Sequence, residues 1–294
     1  MKQKVLVVGA GGQLGRELQR TAAAAAVDCV PLARAQLDIA DAAAVAACLA
    51  QLSPRLVINA AAYTAVDKAE SEPEAAARGN AQGPGTLALA CAEQGIRLIH
   101  ISTDFVFDGS ASQPYRPDAS TAPLGAYGRS KRDGEIAVQR AQPDALILRT
   151  GWVYSSFGGN FVKTMLRLMG ERDELAVVSD QVGTPTWAHG LAEAVWAATA
   201  RPQLRGIYHW SDAGVCSWYD FAVAIYEEAS ALGLLSKSVK IRPIPAAEYP
   251  TPAQRPAYSV LDKSSSWRDF ALEGVHWRRQ LRSMLTDFKE LADA

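Results

Sequence analysis

The residues best suited to chemistry are a tyrosine and a lysine four positions apart, in Tyr127-Gly128-Arg129-Ser130-Lys131. On a helix such residues share a face. An ammonium held beside a phenol favours the phenolate and lowers the tyrosine pKa from its usual value of about 10. Tyr127 would then act as acid and base near neutral pH, with Lys131 tuning it. By itself the motif also fits an ordinary surface pair. Its place between a fourth and a fifth apolar run gives it weight. The fourth run ends in Ile101-Ser102-Thr103-Asp104. Ligands bind at the carboxyl ends of strands in an open α/β sheet, so the Thr103 hydroxyl is placed to hydrogen-bond a reacting oxygen.

A second constellation stands at the N-terminus. Gly9-Ala10-Gly11-Gly12-Gln13-Leu14-Gly15 follows an apolar run and opens a helical stretch, with glycines at 9, 12 and 15. In a dinucleotide loop glycine permits the tight turn, the approach of backbone to pyrophosphate and close helix–strand packing. The phosphates then meet free N–H groups at the positive helix end. A glycine pattern alone is weak, but strand before and helix after are the confirming context. Where an acid would bind the ribose 2′-hydroxyl of NAD, the second run ends Leu32-Ala33-Arg34. Arg34 either pairs with a 2′-phosphate or is a solvated surface residue, and the expectation is NADPH, with NADH as the alternative. Asp38 and Ile39 are placed to flank the adenine, and Ala62, Tyr63 and Thr64 follow the third run, where the cofactor should pass.

The elements that must position these groups alternate. Val5–Val8, Cys29–Leu32, Leu56–Ile58, Leu98–Ile101 and Leu146–Leu148 read as buried parallel strands; Leu14–Ala25, Ala42–Gln51, Gly85–Gln94 and Ser130–Ala141 read as the helices between them. This implies an α/β fold, a Rossmann-type doubly wound parallel sheet. Beyond residue 150, Asn160–Glu171 and Ala188–Ala200 read as helices, Gly206–Trp210 as a strand, and Ser217–Asp220 as a capping box opening a helix to about Leu232. Residues 241–258 carry five prolines and read as an extended loop. The expected division is a dinucleotide-binding domain over 1–150, with parts of 188–225 returning to it, and a smaller substrate-binding lobe from 151–187 and 226–294.

Composition narrows the classes further. The 294 residues are 49% hydrophobic and carry a net charge of -1, with no block of like charge, so neither nucleic acid nor an anionic membrane is expected as a partner. No apolar stretch is long enough to span a bilayer. Met1–Lys4 leads straight into the first strand without a signal-like segment, and a cytoplasmic location is expected. The four cysteines, Cys29, Cys48, Cys91 and Cys216, are scattered and read as buried thiols. His100, His209 and His276 show no metal-ligand spacing, and no metal site is expected.

Longer strings carry a resemblance. Gly9–Gly15 with Tyr127 and Lys131 is similar to the extended short-chain dehydrogenases. Asn59–Glu70, Ser102–Phe107, Arg149–Tyr154, Asp180–Thr186 and Arg255-Pro256 resemble the dTDP-4-dehydrorhamnose reductase family, across essentially the whole chain. The resemblance implies NAD(P)H-dependent reduction of the C4 ketone of dTDP-4-dehydro-L-rhamnose, with a dTDP-sugar as the partner molecule. Tyr127 would protonate the developing alkoxide, Lys131 would tune Tyr127 and hold the nicotinamide ribose, and Thr103 would bond the same oxygen. Asp104 and Trp152 would contact the sugar nucleotide, Trp152 being otherwise a core residue. Arg255 is a candidate for the diphosphate or else anchors a loop through an ion pair. Tyr63 stands where the family commonly has histidine. Some relatives bridge a dimer through magnesium and carboxylates. Glu17 matches one of these, but His189 stands where a second glutamate is sought, so both read as surface residues; a homodimer is compatible without the metal. The alternatives are another sugar-nucleotide reductase or epimerase of the same fold, or a dinucleotide-binding regulatory subunit without catalysis.

Overall fold

The strands form because their runs are apolar on both faces, which only a sheet covered on both sides can bury. In the computed structural model, which describes residues 4–293, five of them and their helices follow in order: β1 (Lys4–Val8), α1 (Gln13–Thr21), β2 (Asp28–Leu32), α2 (Ala42–Leu52), β3 (Leu56–Asn59), α3 (Pro73–Ala77), α4 (Gly83–Glu93), β4 (Arg97–Thr103), α5 (Ala126–Ala141) and β5 (Leu146–Thr150). Met1 to Gln3, the lead-in to β1, lie outside the described residues. The strand Gly206–His209 pairs with β5 and completes a six-stranded sheet, ordered from that edge through β5, β4, β3 and β1 to β2. Every pairing in it is parallel. The winding reverses beside β1, so a crevice opens at the carboxyl ends of β1 and β3.

One face of the sheet buries Leu14 and Leu18 of α1 together with Leu191, Val195 and Trp196 of α7 (Ala188–Thr199). The other buries Val45 and Leu49 of α2, Leu87 and Cys91 of α4, and Val138 of α5. A second core gathers α6 (Phe161–Glu171), α8 (Trp218–Ala231) and α10 (Trp277–Asp293) around Met169, Phe221, Ile225 and Leu281, while α9 (Ser264–Phe270) sets Phe270 against the sheet. The Ser217–Asp220 capping box opens α8, each side chain bonding the other's backbone N–H.

Local expectations change at four places, the first being that α1 ends at Thr21 and not Ala25. The helix expected from Gly85 belongs to a longer run that begins with Pro73 at its first position and passes through a π-helical turn, Arg78–Gln82. α5 starts at Ala126 rather than Ser130, because the Glu70 carboxylate, 56 residues upstream, accepts the Ala126 N–H at 2.7 Å. Within the stretch read as loop, Lys240–Ile244 is a strand paired in parallel with Glu174–Val178, a partner remote in sequence.

Candidate active site

A crevice of about 1170 Å³ runs along the carboxyl ends of the strands. Its wall brings the glycine loop, Arg34, Asp38, Ile39 and Ala62–Thr64 into one space with Thr103, Asp104, Tyr127, Lys131 and Trp152. Gly15 and Arg255 are not part of that wall.

At one end the loop is shaped by what glycine lacks. Gly9 has φ +80°, and a Cβ there would stand 2.4 Å from the Ala61 nitrogen. A Cβ on Gly15 would stand 2.3 Å from the Gly9 oxygen, so Gly15 serves by letting α1 close on the loop. Gly12 opens α1 with no side-chain cap and no acid in the first turn, which leaves the positive helix end to face an anion. The Gln13 amide oxygen accepts from Asn160 at 2.9 Å, tying the loop to the second core. Arg34 stands exposed past the end of β2, with no carboxylate where an NAD ribose would need one. Close backbone, bare helix end and guanidinium together fit a 2′-phosphorylated dinucleotide. Asp38 is held by the Ala40 N–H at 3.0 Å and by Arg78 at 2.8 Å; the backbone N–H first, then Arg78, keep its carboxyl below the usual range.

Ala62, Tyr63 and Thr64 line the middle of the crevice, and Tyr63 is clamped there. Its N–H donates to Asn80 Oδ1 at 2.8 Å, and Asn80 Nδ2 donates to the Tyr63 oxygen at 3.0 Å. The Tyr63 hydroxyl donates to Glu72 at 2.7 Å. Asn80 sits on the π-helical turn, a device common at functional sites. Its role is not legible in the sequence beyond the presence of an asparagine inside an alanine-rich stretch.

At the other end β4 delivers Thr103, and Asp104 begins a short 3₁₀ turn to Val106. The first turn of α5 presents Tyr127, its ring edge-on to Phe105 with centroids 5.4 Å apart. Gly128 permits this approach, since a Cβ there would meet the Phe105 oxygen at 2.3 Å. Lys131 lies one turn further, nearly fully buried, and donates from Nζ to the Ile101 oxygen at 2.7 Å. This corrects the expectation that Lys131 lowers the Tyr127 pKa. Burial dominates and pushes the phenol up to about 12, against a lowering by the facing Thr103 hydroxyl. Burial likewise brings Lys131 down to about 8.

The Thr103 hydroxyl donates to Asp104 Oδ1 at 3.1 Å and accepts the Phe105 N–H at 3.2 Å. Asp104 is 2% exposed; burial pushes its carboxyl up to about 6. The Ser259 side chain and then the Thr103 hydroxyl offset part of that rise, though Oδ2 makes no well-formed hydrogen bond among the described residues. Trp152 adopts φ +50°, a strained value for a bulky residue, and stacks on Trp218 at 3.4 Å with the planes 4° apart. Gly183 covers the same indole, leaving no room for a Cβ, which would lie 2.5 Å from Cε2. Arg255 pairs with Asp67 at 2.9 Å and donates to the Ala253 oxygen at 3.2 Å, the geometry of a loop anchor.

Two buried acids were misread or missed. Glu17, expected on the surface, is fully buried; it accepts from Ser155 at 2.7 Å and Arg20 at 2.9 Å, and faces His189 at 3.3 Å. The loop at Ser155 and Phe157 and the start of α7 cover that side of α1, so position on the helix alone misleads. Glu135 forms a buried two-pronged pair with Arg149, at 2.9 and 2.7 Å, and accepts from Ser102 at 2.5 Å. It joins α5 to β4 and β5. Breaking such a pair typically costs about 3–5 kcal/mol. Among the described residues no group of three His, Cys, Asp or Glu side chains is placed to hold a metal ion.

A buried tyrosine and lysine one turn apart, set beside a dinucleotide loop at the sheet's carboxyl edge, define a nicotinamide-dependent oxidoreductase of the short-chain dehydrogenase type. Comparison with known proteins narrows this. The family model described as RmlD substrate binding domain matches residues 3–290, and the chain belongs to that family. It is 42% identical to the dTDP-4-dehydrorhamnose reductase of Escherichia coli, over 96% of this chain and 97% of that one. It is 43% identical to a probable dTDP-4,6-dihydroxy-2-methyloxan-3-one 4-ketoreductase of Streptomyces antibioticus, over 96% and 94%. The crystal structure of dTDP-4-dehydrorhamnose reductase from Bacillus anthracis in complex with NADP superposes with a TM-score of 0.92 at 35% identity, covering 98% of this chain and all of that one.

Proposed function

We propose that this chain reduces the C4 ketone of dTDP-4-dehydro-L-rhamnose, using NADPH, to dTDP-L-rhamnose. The observation that carries the reading is the convergence of Thr103, Tyr127 and Lys131 with the glycine loop in one crevice, in a chain about 42% identical to a reductase of that name. The nicotinamide, when bound, supplies the hydride to C4. Tyr127 donates its phenolic proton to the carbonyl oxygen as the alkoxide develops. A phenol whose pKa is pushed up to about 12 is protonated at neutral pH, the form in which a reduction needs it. Thr103 hydrogen-bonds the same oxygen once its hydroxyl turns from Asp104; such a donor contributes on the order of 2–4 kcal/mol. Lys131, fixed by its bond to the Ile101 oxygen, would hold the nicotinamide ribose.

Asp104 Oδ2 and the Trp152 indole are the proposed contacts for the sugar. Gly9, Gly12, Gln13 and Leu14 would hold the pyrophosphate, with Gly15 behind them; Asp38 and Ile39 would hold the adenine, and Arg34 the 2′-phosphate. Ala62, Tyr63 and Thr64 would line the path between. Arg255, fastened to Asp67, would shape the substrate side rather than hold the diphosphate. The second core, which takes α8 from Trp218 onward, is proposed as the substrate-binding lobe. Four unpaired cysteines support a reducing, cytoplasmic setting, and among the described residues no helix is long and apolar enough to cross a membrane.

The test is loss of reduced-nicotinamide absorbance on mixing the protein with NADPH and dTDP-4-dehydro-L-rhamnose. Loss that depends on the sugar and on Tyr127 is expected. Turnover only of a different dTDP-4-keto-sugar would move the substrate toward that of the Streptomyces relative. Bound NADPH without turnover of either would favour a non-catalytic role.

A further inference from the structure

The helix that carries Tyr127 begins without a cap of its own. Its N-cap residue is Gly125, which has no side chain to offer, and its first turn holds no acid. A helix start leaves several N–H groups without intrahelical partners, and in most helices a local Ser, Thr, Asp or Asn satisfies one of them. Here the partner comes from a remote 3₁₀ turn, Lys68–Glu70. Glu70 Oε1 accepts the Ala126 N–H at 2.7 Å, and the carboxylate lies against the positive end of the helix. Gly125 makes room for it, since a Cβ there would stand 2.6 Å from the same oxygen. Ala126, the residue so held, directly precedes Tyr127.

The segment bearing Glu70 touches Tyr127 in a second way. Val66 and Ala69 pack with Ala76, Ala126 and the Tyr127 ring in one small apolar cluster, which Tyr63 and Phe105 close. The same segment is pinned on its far side by Asp67, which accepts from the Ala253 N–H at 3.2 Å and from Arg255 at 2.9 Å. Glu70 therefore sits on a stretch of chain fixed by other contacts, and its carboxylate transmits that fixed position to the start of α5.

We propose that Glu70 is a positioning residue for the reduction: by capping the catalytic helix from a distant part of the chain it sets where the Tyr127 hydroxyl stands. The inference rests on the reading of Tyr127 as proton donor. Without the cap the first turn of α5 frays, and the phenol loses its alignment while the glycine loop, on the other side of the crevice, is untouched. A displacement near 1 Å at a reacting group costs on the order of 100-fold in rate.

The experiment is a double-mutant cycle with Tyr127→Phe, measured as kcat at saturating NADPH and sugar nucleotide, with NADPH binding followed by fluorescence. Glu70→Ala is expected to lower kcat by roughly 10- to 100-fold and to leave the NADPH dissociation constant near the wild-type value. Glu70→Gln, which keeps an acceptor at the same reach, should restore most of the rate. Glu70→Asp, which keeps the charge one methylene short, should not, and it replaces the alanine variant in the cycle if that variant does not fold. In the Tyr127→Phe background the Glu70 substitution should cost almost nothing further, because both changes remove one function. Full kcat in Glu70→Ala, or an equal loss in both backgrounds, would overturn the proposal while leaving Tyr127 as donor. Near-normal turnover by Tyr127→Phe alone would overturn both.

Discussion

Gly151→Ala adds one methyl group where the end of β5 touches the Asp104 carboxylate. A Cβ at Gly151 would stand 2.5 Å from Asp104 Cγ and Oδ2 and 2.8 Å from Oδ1. Ordinary heavy-atom contact needs about 3.5 Å, so the methyl and the carboxylate must separate by roughly 1 Å. Asp104 has little freedom to yield, being buried and at the start of the 3₁₀ turn that the Thr103 hydroxyl caps. Nor has the backbone at 151, which leads directly into Trp152 with its φ of +50° and its stacked neighbour. Overpacking of this kind costs about 1–3 kcal/mol in stability. The displacement passes to Thr103, whose hydroxyl is bonded to Asp104 at 3.1 Å, and a 1 Å error in the group proposed to contact the reacting oxygen would lower the rate on the order of 100-fold. The assay is kcat by reduced-nicotinamide absorbance, with NADPH binding and thermal unfolding on the same preparation. A fall in kcat with a lowered melting temperature and nearly intact NADPH binding is expected. Wild-type kcat at wild-type stability would refute the reasoning, since the carboxylate would then not be fixed against β5.

Tyr127→Phe should lower kcat by about 100-fold or more, the usual worth of a positioned acid, with NADPH binding retained; stopped-flow single turnover separates the two. Arg34→Ala should raise the KM for NADPH by roughly tenfold and leave that for NADH nearly unchanged, because one charge-assisted pair to a phosphate is lost; steady-state kinetics with both cofactors decides it. Asp104 makes stability depend on pH. Its carboxyl, pushed up to about 6 from 3.8, binds a proton in the folded chain through a window where the unfolded chain has released it. The folded state thus loses stability as pH rises from about 4 to 6, by about 3 kcal/mol at most. Asp104→Asn should flatten that part of the profile; urea unfolding at intervals across the window measures it, and an unaltered slope would remove Asp104 as its source.

The parts of this protein legible in the sequence are those written in neighbouring residues. Glycines at 9, 12 and 15 between an apolar run and a helix mark the loop, because tight turn and close approach are local demands. Tyr127 and Lys131, four apart, share a helix face in any fold that keeps the helix. The alternation of apolar runs and alanine-rich helices requires a parallel sheet. Tertiary structure decided what depends on residues far apart. The start of α5 waits on Glu70, the strand Lys240–Ile244 on Glu174–Val178, and the burial of Glu17 on a loop at Ser155 and on α7, both far away in sequence. It also reversed the expected direction of the Tyr127 pKa. Spacing places a lysine one turn from a tyrosine, but burial raises the cost of the phenolate by more than the Thr103 hydroxyl lowers it, and only the assembled chain determines how much water each group has lost.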